Sequence, residues 1–148
     1  MKKYIKVCLL IFWMALIFFL SSQVANESSN TTNFVINYIY KLYCLVAKEP
    51  LDIYSFAYTV FIPVRKLAHF SEFAILGGLM YINVKDFNIK NLILLSIFLS
   101  LLYAISDEVH QIFVPGRAAM ITDVLIDLCG IVIGVVIAHL ISKRCRKD

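Results

Sequence analysis

The chain has 148 residues, of which 61% are hydrophobic and 16% charged, with a formal net charge of +4. That is one domain's worth of chain carrying more apolar surface than so short a soluble fold encloses, which excludes an ordinary water-soluble globule. The basic residues gather at the two ends, Lys2, Lys3 and Lys6 and then Lys143, Arg144, Arg146 and Lys147; a nucleic-acid binder would spread them along one face, so they read as a topology signal and no nucleic-acid partner is expected.

Val7 to Asn26 is free of charge and almost wholly apolar to Leu20. Roughly 20 residues suffice to cross the hydrocarbon. Ser21-Ser22-Gln23-Val24-Ala25 gives only a weak cleavage pattern, so an uncleaved first span is expected rather than a signal peptide. Asn26 to Asn33 reads as a polar loop with two Asn-x-Ser/Thr sequons, at Asn26 and Asn30. From Phe34 to Ala47 apolar residues recur at helical spacing, with Lys41 and Lys48 on the flanks of the segment, and Tyr38, Tyr40 and Tyr43 suit an interfacial belt. This segment is expected to lie on the membrane surface as an amphipathic helix. Ile53 to Val64 is apolar but short, is closed by Pro63, and reads as re-entrant or interfacial.

The second span is expected from about Leu67 to Val84, with His69 and Glu72 inside it. Lys85 to Lys90 is a charged turn. The third span runs from Asn91 to about Glu108. Val109 to Met120 reads as a loop with a Pro115-Gly116 turn. The fourth span covers about Ile121 to Ser142. The expected architecture is an all-α membrane protein of one domain over 1–148: an up-down bundle of four transmembrane helices with an interfacial amphipathic segment between the first and second. The spans fall at about 7–26, 67–84, 91–108 and 121–142, and 26–66 is an extracytoplasmic loop. Four spans put both termini and the 85–90 turn on one side with nine basic residues, against Lys41, Lys48, Arg65, Lys66 and Arg117 on the other. The positive-inside rule then makes the termini cytoplasmic in a cell membrane.

Most acidic residues fall toward the opposite end, where the chemistry concentrates. Arg65 and His69 are i,i+4 and His69 and Glu72 are i,i+3, so a helix carries all three on one face. Asp107 is i,i+3 from His110 and i,i+4 from Gln111, while Glu108 is about 100° around the helix from it. Pro115-Gly116 turns the chain and presents Arg117, whose guanidinium suits a phosphate or carboxylate. Asp123, Asp127, Gly130 and Gly134 share a face of the fourth span. Gly130-x-x-x-Gly134 permits close helix contact, and Gly77-Gly78 offers a matching small surface. The candidate binding residues are therefore Arg65, Lys66, His69, Glu72, Asp107, Glu108, His110, Gln111, Arg117, Asp123 and Asp127. Ion pairs among them can simply clamp helices together, but eleven such groups at one end exceed what a bundle needs. Cys8, Cys44, Cys129 and Cys145 have no CxxC spacing, and neither a cofactor nor a resident metal is assigned.

Arg65-Lys66-x-x-His69-Phe70-x-Glu72-Phe73, then Ser106-Asp107-Glu108-x-His110-Gln111-x-Phe113-x-Pro115-Gly116-Arg117, then Asp123 and Asp127 before Gly130 and Gly134, resemble the VanZ-like family. The resemblance covers nearly the whole chain, apart from 26–64. It implies a bacterial multi-pass membrane protein whose family namesake is associated with low-level teicoplanin resistance; it supplies a fold and a phenotype without a reaction. Three functions stay open. One is a binding module for a membrane lipid, cell-wall precursor or lipoglycopeptide, with Arg65, Lys66 and Arg117 on the anionic part. Another is a membrane-embedded enzyme acting on an envelope lipid or precursor. Its catalytic candidates are His69 with Glu72 and His110 with Asp107, together with Glu108, and in a minor form His69, His110 and two carboxylates hold a divalent metal. The third is a scaffold for a membrane-protein partner.

Overall fold

The computed structural model describes residues 3–87 and 89–144. Lys2, Cys145, Arg146, Lys147 and Asp148 lie outside the described residues. Five helices follow one another: α1 (Lys3–Ser21), α2 (Ala25–Val46), α3 (Ile53–Val84, continued by a 3-10 turn at Lys85–Phe87), α4 (Leu92–Gln111) and α5 (Ile121–Arg144). Among the described residues there is no strand. α1, α3, α4 and α5 are long and apolar enough to cross a membrane, so the chain is a multi-pass helical membrane protein.

The helices are organised for lipid. On α4, Leu94, Phe98, Leu102, Ile105 and Val109 form one exposed stripe, while Ser96, Ser100, Ala104, Asp107 and Gln111 form the buried one. Large apolar groups outside and small or polar groups inside are what a helix needs when its solvent is hydrocarbon. α3 and α5 are the tightest pair. A Cβ on Gly77 would come within 2.6 Å of the Ile131 carbonyl oxygen, one on Gly130 would strike the Phe70 carbonyl, and one on Gly134 the Ala74 carbonyl. The expected glycine seam therefore exists, and Gly77 belongs to it.

Two expectations about the connecting segment are corrected. The helix that carries the second span starts well before Leu67: α3 is one helix of 32 residues from Ile53, and Pro63 lies inside it. Pro63 removes one N–H from the Thr59 carbonyl without ending the helix. Asp52 starts α3, its Oδ1 accepting from the N–H groups of Tyr54 at 3.0 Å and Ser55 at 3.1 Å. The hydrogen bonds to Ser55 hold the Asp52 carboxyl below the usual carboxylate range. Nor is 26–33 a loop. α2 begins at Ala25, and its hydroxyls fold back on carbonyls one turn earlier: Ser29 to Ala25 at 2.7 Å and Thr32 to Ser28 at 3.0 Å. The Tyr40 hydroxyl donates to the Leu51 carbonyl, and Tyr43 stacks on Phe56 at 4.8 Å, closing α2 and the start of α3 into a hairpin. α4 likewise runs three residues beyond its expected end, to Gln111.

Candidate functional site

The charged residues meet where α1 ends, α3 reaches its middle, α4 ends and α5 begins. The turn after α4 fixes the corner. Arg117 N–H donates to the Val114 carbonyl at 3.1 Å, with Pro115 and Gly116 between. Gly116 has φ +78°, the left-handed position such a turn requires. The Pro115 carbonyl accepts from Ala25 N–H at 3.3 Å, which anchors the start of α2 to this corner.

Arg117 then points inward. Its Nη2 donates to the Leu20 carbonyl at the end of α1 at 3.2 Å, an oxygen that also accepts the Gln23 N–H at 3.4 Å. Its Nε is buried with no hydrogen-bond partner in the protein. Burial, and next the nearby Arg65, weaken the hold of this guanidinium on its proton, while Asp107, Glu108 and Glu72 oppose them. Arg117 is half-buried at this end of the bundle.

Arg65, His69 and Glu72 share a face, as their spacing predicts, and that face lines a cavity of about 320 Å³. Asp107 and Arg117 complete its polar end. Its other walls come from Ile17 and Leu20 on α1, Ser28, Thr32, Val35 and Ile39 on α2, and Val64 and Leu67 on α3. The cavity is thus apolar over most of its surface and ionic at one end. Arg65 makes no hydrogen bond to the protein among the described residues.

The remaining candidates divide into clamps and a second cluster. Lys66 Nζ pairs with Asp123 Oδ1 at 2.7 Å, joining α3 to α5. Gln111 donates to Asp107 Oδ2 at 3.1 Å within α4. Asp107 and Glu108 are both buried, at 4% and 3% exposure, although one of the two had the option of facing water. Glu108 Oε2 accepts the Met120 N–H at 2.9 Å, which ties α4 to the entrance of α5. Behind the cavity, a ring nitrogen of His69, an oxygen of Glu108 and an oxygen of Asp127 lie within 4.8 Å of one another. His69 Nδ1 stands 3.7 Å from Asp127 Oδ1.

His110 does not join them. Its Nε2 is 3.1 Å from Ser22 Oγ and its ring stacks on Phe18 at 4.5 Å, both on the α1 side. Among the described residues no hydrogen bond links His110 to Asp107 or His69 to Glu72. The metal set with both histidines is also not assembled.

A model of the VanZ/LLP1 family matches residues 6–142 of the chain. The chain belongs to the VanZ/LLP1 family. The match covers the whole charged end and α2 as well, the segment for which the sequence offered no counterpart. No curated protein matches, and no solved structure matches.

Two contributions to this VanZ/LLP1 site were not foreseen. Trp13 Nε1 donates to the Glu72 carbonyl at 2.9 Å. α2 forms a wall of the cavity. A signal for the wall was present, because Ser28, Thr32, Val35 and Ile39 continue one helical face upstream of Phe34.

Proposed function

We propose that this VanZ/LLP1 chain binds the anionic headgroup of an envelope amphiphile at the outer leaflet. The ligand is a membrane lipid, a cell-wall precursor or a lipoglycopeptide, and both termini stand in the cytoplasm of a bacterial cell membrane. The observation that carries this is the cavity itself: apolar walls on three helices lead to two guanidiniums, of which, among the described residues, one has no hydrogen-bond partner and the other a buried Nε without one. An acyl chain fits the first and a phosphate or carboxylate the second. Asp107 and Glu72 at the same end offer acceptors for sugar hydroxyls or an ammonium group. The excess of basic residues on the termini side supports the orientation. The family's teicoplanin phenotype then follows from occupancy at the membrane surface, where that acylated drug meets its precursor.

Native mass spectrometry of protein extracted from its own membranes tests this, with wild type beside Arg65→Gln and Arg117→Ala. An anionic amphiphile retained by wild type and lost from the variants supports the reading; wild type emerging bare overturns it. Arg65→Gln removes no protein hydrogen bond, so it separates lost binding from lost structure. The enzyme reading keeps one observation in its favour, the His69, Glu108 and Asp127 cluster against the cavity wall. Turnover of the retained amphiphile by wild type is the outcome that selects it.

A further inference from the structure

We propose that His69, Glu108 and Asp127 form a three-ligand site for one divalent transition-metal ion, with zinc and manganese the fitting class. This goes beyond the amphiphile reading and does not rest on it.

The geometry comes first. One atom from each residue falls within a 4.8 Å set. His69 Nδ1 and Asp127 Oδ1, 3.7 Å apart, are too distant for a hydrogen bond. Ligand bonds of about 2.0–2.2 Å place neighbouring ligands of one ion about 3–4 Å apart. The three residues come from α3, α4 and α5, and the glycine seam fixes α3 against α5 directly below them.

Burial is the second, independent observation. Asp127 is 0% exposed and neither of its carboxylate oxygens has a hydrogen-bond partner in the protein; Oε1 of Glu108 and Nδ1 of His69 are in the same position. Such groups are expensive in a dry interior unless something compensates them. Apart from Ser100, every buried side-chain polar atom without a partner among the described residues belongs to this end of the bundle. Glu108 is also held in the manner of a ligand, one oxygen fixed by the Met120 N–H and the other free.

The charge agrees. Glu72, Asp107, Glu108, Asp123 and Asp127 act on one another here, against Arg65, Lys66 and Arg117. Counted in their ionised forms, five carboxylates and three basic side chains leave two formal negative charges, matching one dication. An imidazole with two carboxylates suits zinc or manganese better than calcium or magnesium, which prefer all-oxygen shells. Three protein ligands leave at least one coordination position open. His69 also lines the cavity, so the ion stands at its inner wall.

The test uses full-length protein in detergent, with its purification tag removed and its metals stripped by chelator. It is loaded with zinc or manganese chloride, passed through a desalting column and analysed for bound metal. Wild type is expected to retain about one equivalent, and Asp127→Asn, Glu108→Gln and His69→Gln at least tenfold less. Far-UV dichroism and a single gel-filtration peak establish that a variant is folded. Should a variant fail that control, manganese-loaded wild type still decides, because a coordinated imidazole imposes a nitrogen modulation on the manganese spin echo. Wild type retaining no ion, folded variants retaining as much as wild type, or a bound manganese without nitrogen coupling each overturn the site. Lipid retention measured on the same samples tells failure of this site from failure of the amphiphile reading.

Discussion

The indole Nε1 of Trp13 donates to the backbone carbonyl of Glu72 at 2.9 Å, joining the middle of α1 to the stretch of α3 that carries the site. α1 is otherwise largely exposed, and its further polar tethers are the Tyr103 hydroxyl on the Met14 carbonyl at 2.6 Å, Asn83 on the Lys6 carbonyl at 3.1 Å, the Lys6–Asp86 ion pair at 2.8 Å and Arg117 on the Leu20 carbonyl at 3.2 Å. Trp13→Phe keeps an aromatic ring but removes the donor. The expected cost is about 1 kcal/mol, read as a fall of about 2–4 °C in the thermal midpoint in detergent. An unchanged midpoint would mean that this hydrogen bond adds nothing to the hold on α1.

The glycine seam predicts an asymmetry between neighbouring positions. Gly134→Ala drives a methyl group into the Ala74 carbonyl, and overpacking of this kind costs about 1–3 kcal/mol. A Cβ on Gly78 meets Gly134 oxygen at 3.5 Å, an ordinary contact, so Gly78→Ala is expected to be close to neutral. Unfolding of the two variants in mixed detergent compares them directly. Equal losses would sink the account of α3–α5 packing.

Lys66 and Asp123 make the shortest cross-helix ion pair of the site, at 2.7 Å, yet the Lys66 side chain is 35% exposed. Solvent screening discounts such a pair, and a double-mutant cycle of Lys66→Ala and Asp123→Asn is expected to give a coupling of less than about 1 kcal/mol. A coupling of several times that size would show the pair to be sealed from water.

Four spans were legible because membrane crossing is written in length and hydropathy, and the Arg65, His69 and Glu72 face because it needs only the period of one helix. The pairing of Gly130 and Gly134 with α3 followed from residue size. What escaped depends on contacts between helices. His110 and His69 both sit near carboxylates in sequence, but His110 turns toward Phe18 and Ser22 of α1 while His69 turns toward Asp127 of α5. No single-helix period distinguishes those outcomes. The start of α2 was misread because Asn, Ser and Thr disfavour helices on their own; here their hydroxyls bond carbonyls of the same helix, and Ala25 is fastened to the Pro115 turn. Pro63 was taken as a stop, although a helix packed on its neighbours tolerates the loss of one hydrogen bond.

The 32 residues of α3 make it about 48 Å long at 1.5 Å per residue, while α1, α4 and α5, of 19 to 24 residues, match a hydrocarbon slab of about 30 Å. All four cannot be matched at once. Either α3 tilts or its first turns leave the slab, and because α2 is fastened to those turns, the hairpin moves with them. On the amphiphile reading proposed above, bilayer thickness therefore becomes a variable of the site, because it sets where the α2 wall stands relative to the slab. Occupancy of the cavity should track the acyl-chain length of the host lipid, measurable in vesicles of short-chain and long-chain phosphatidylcholine.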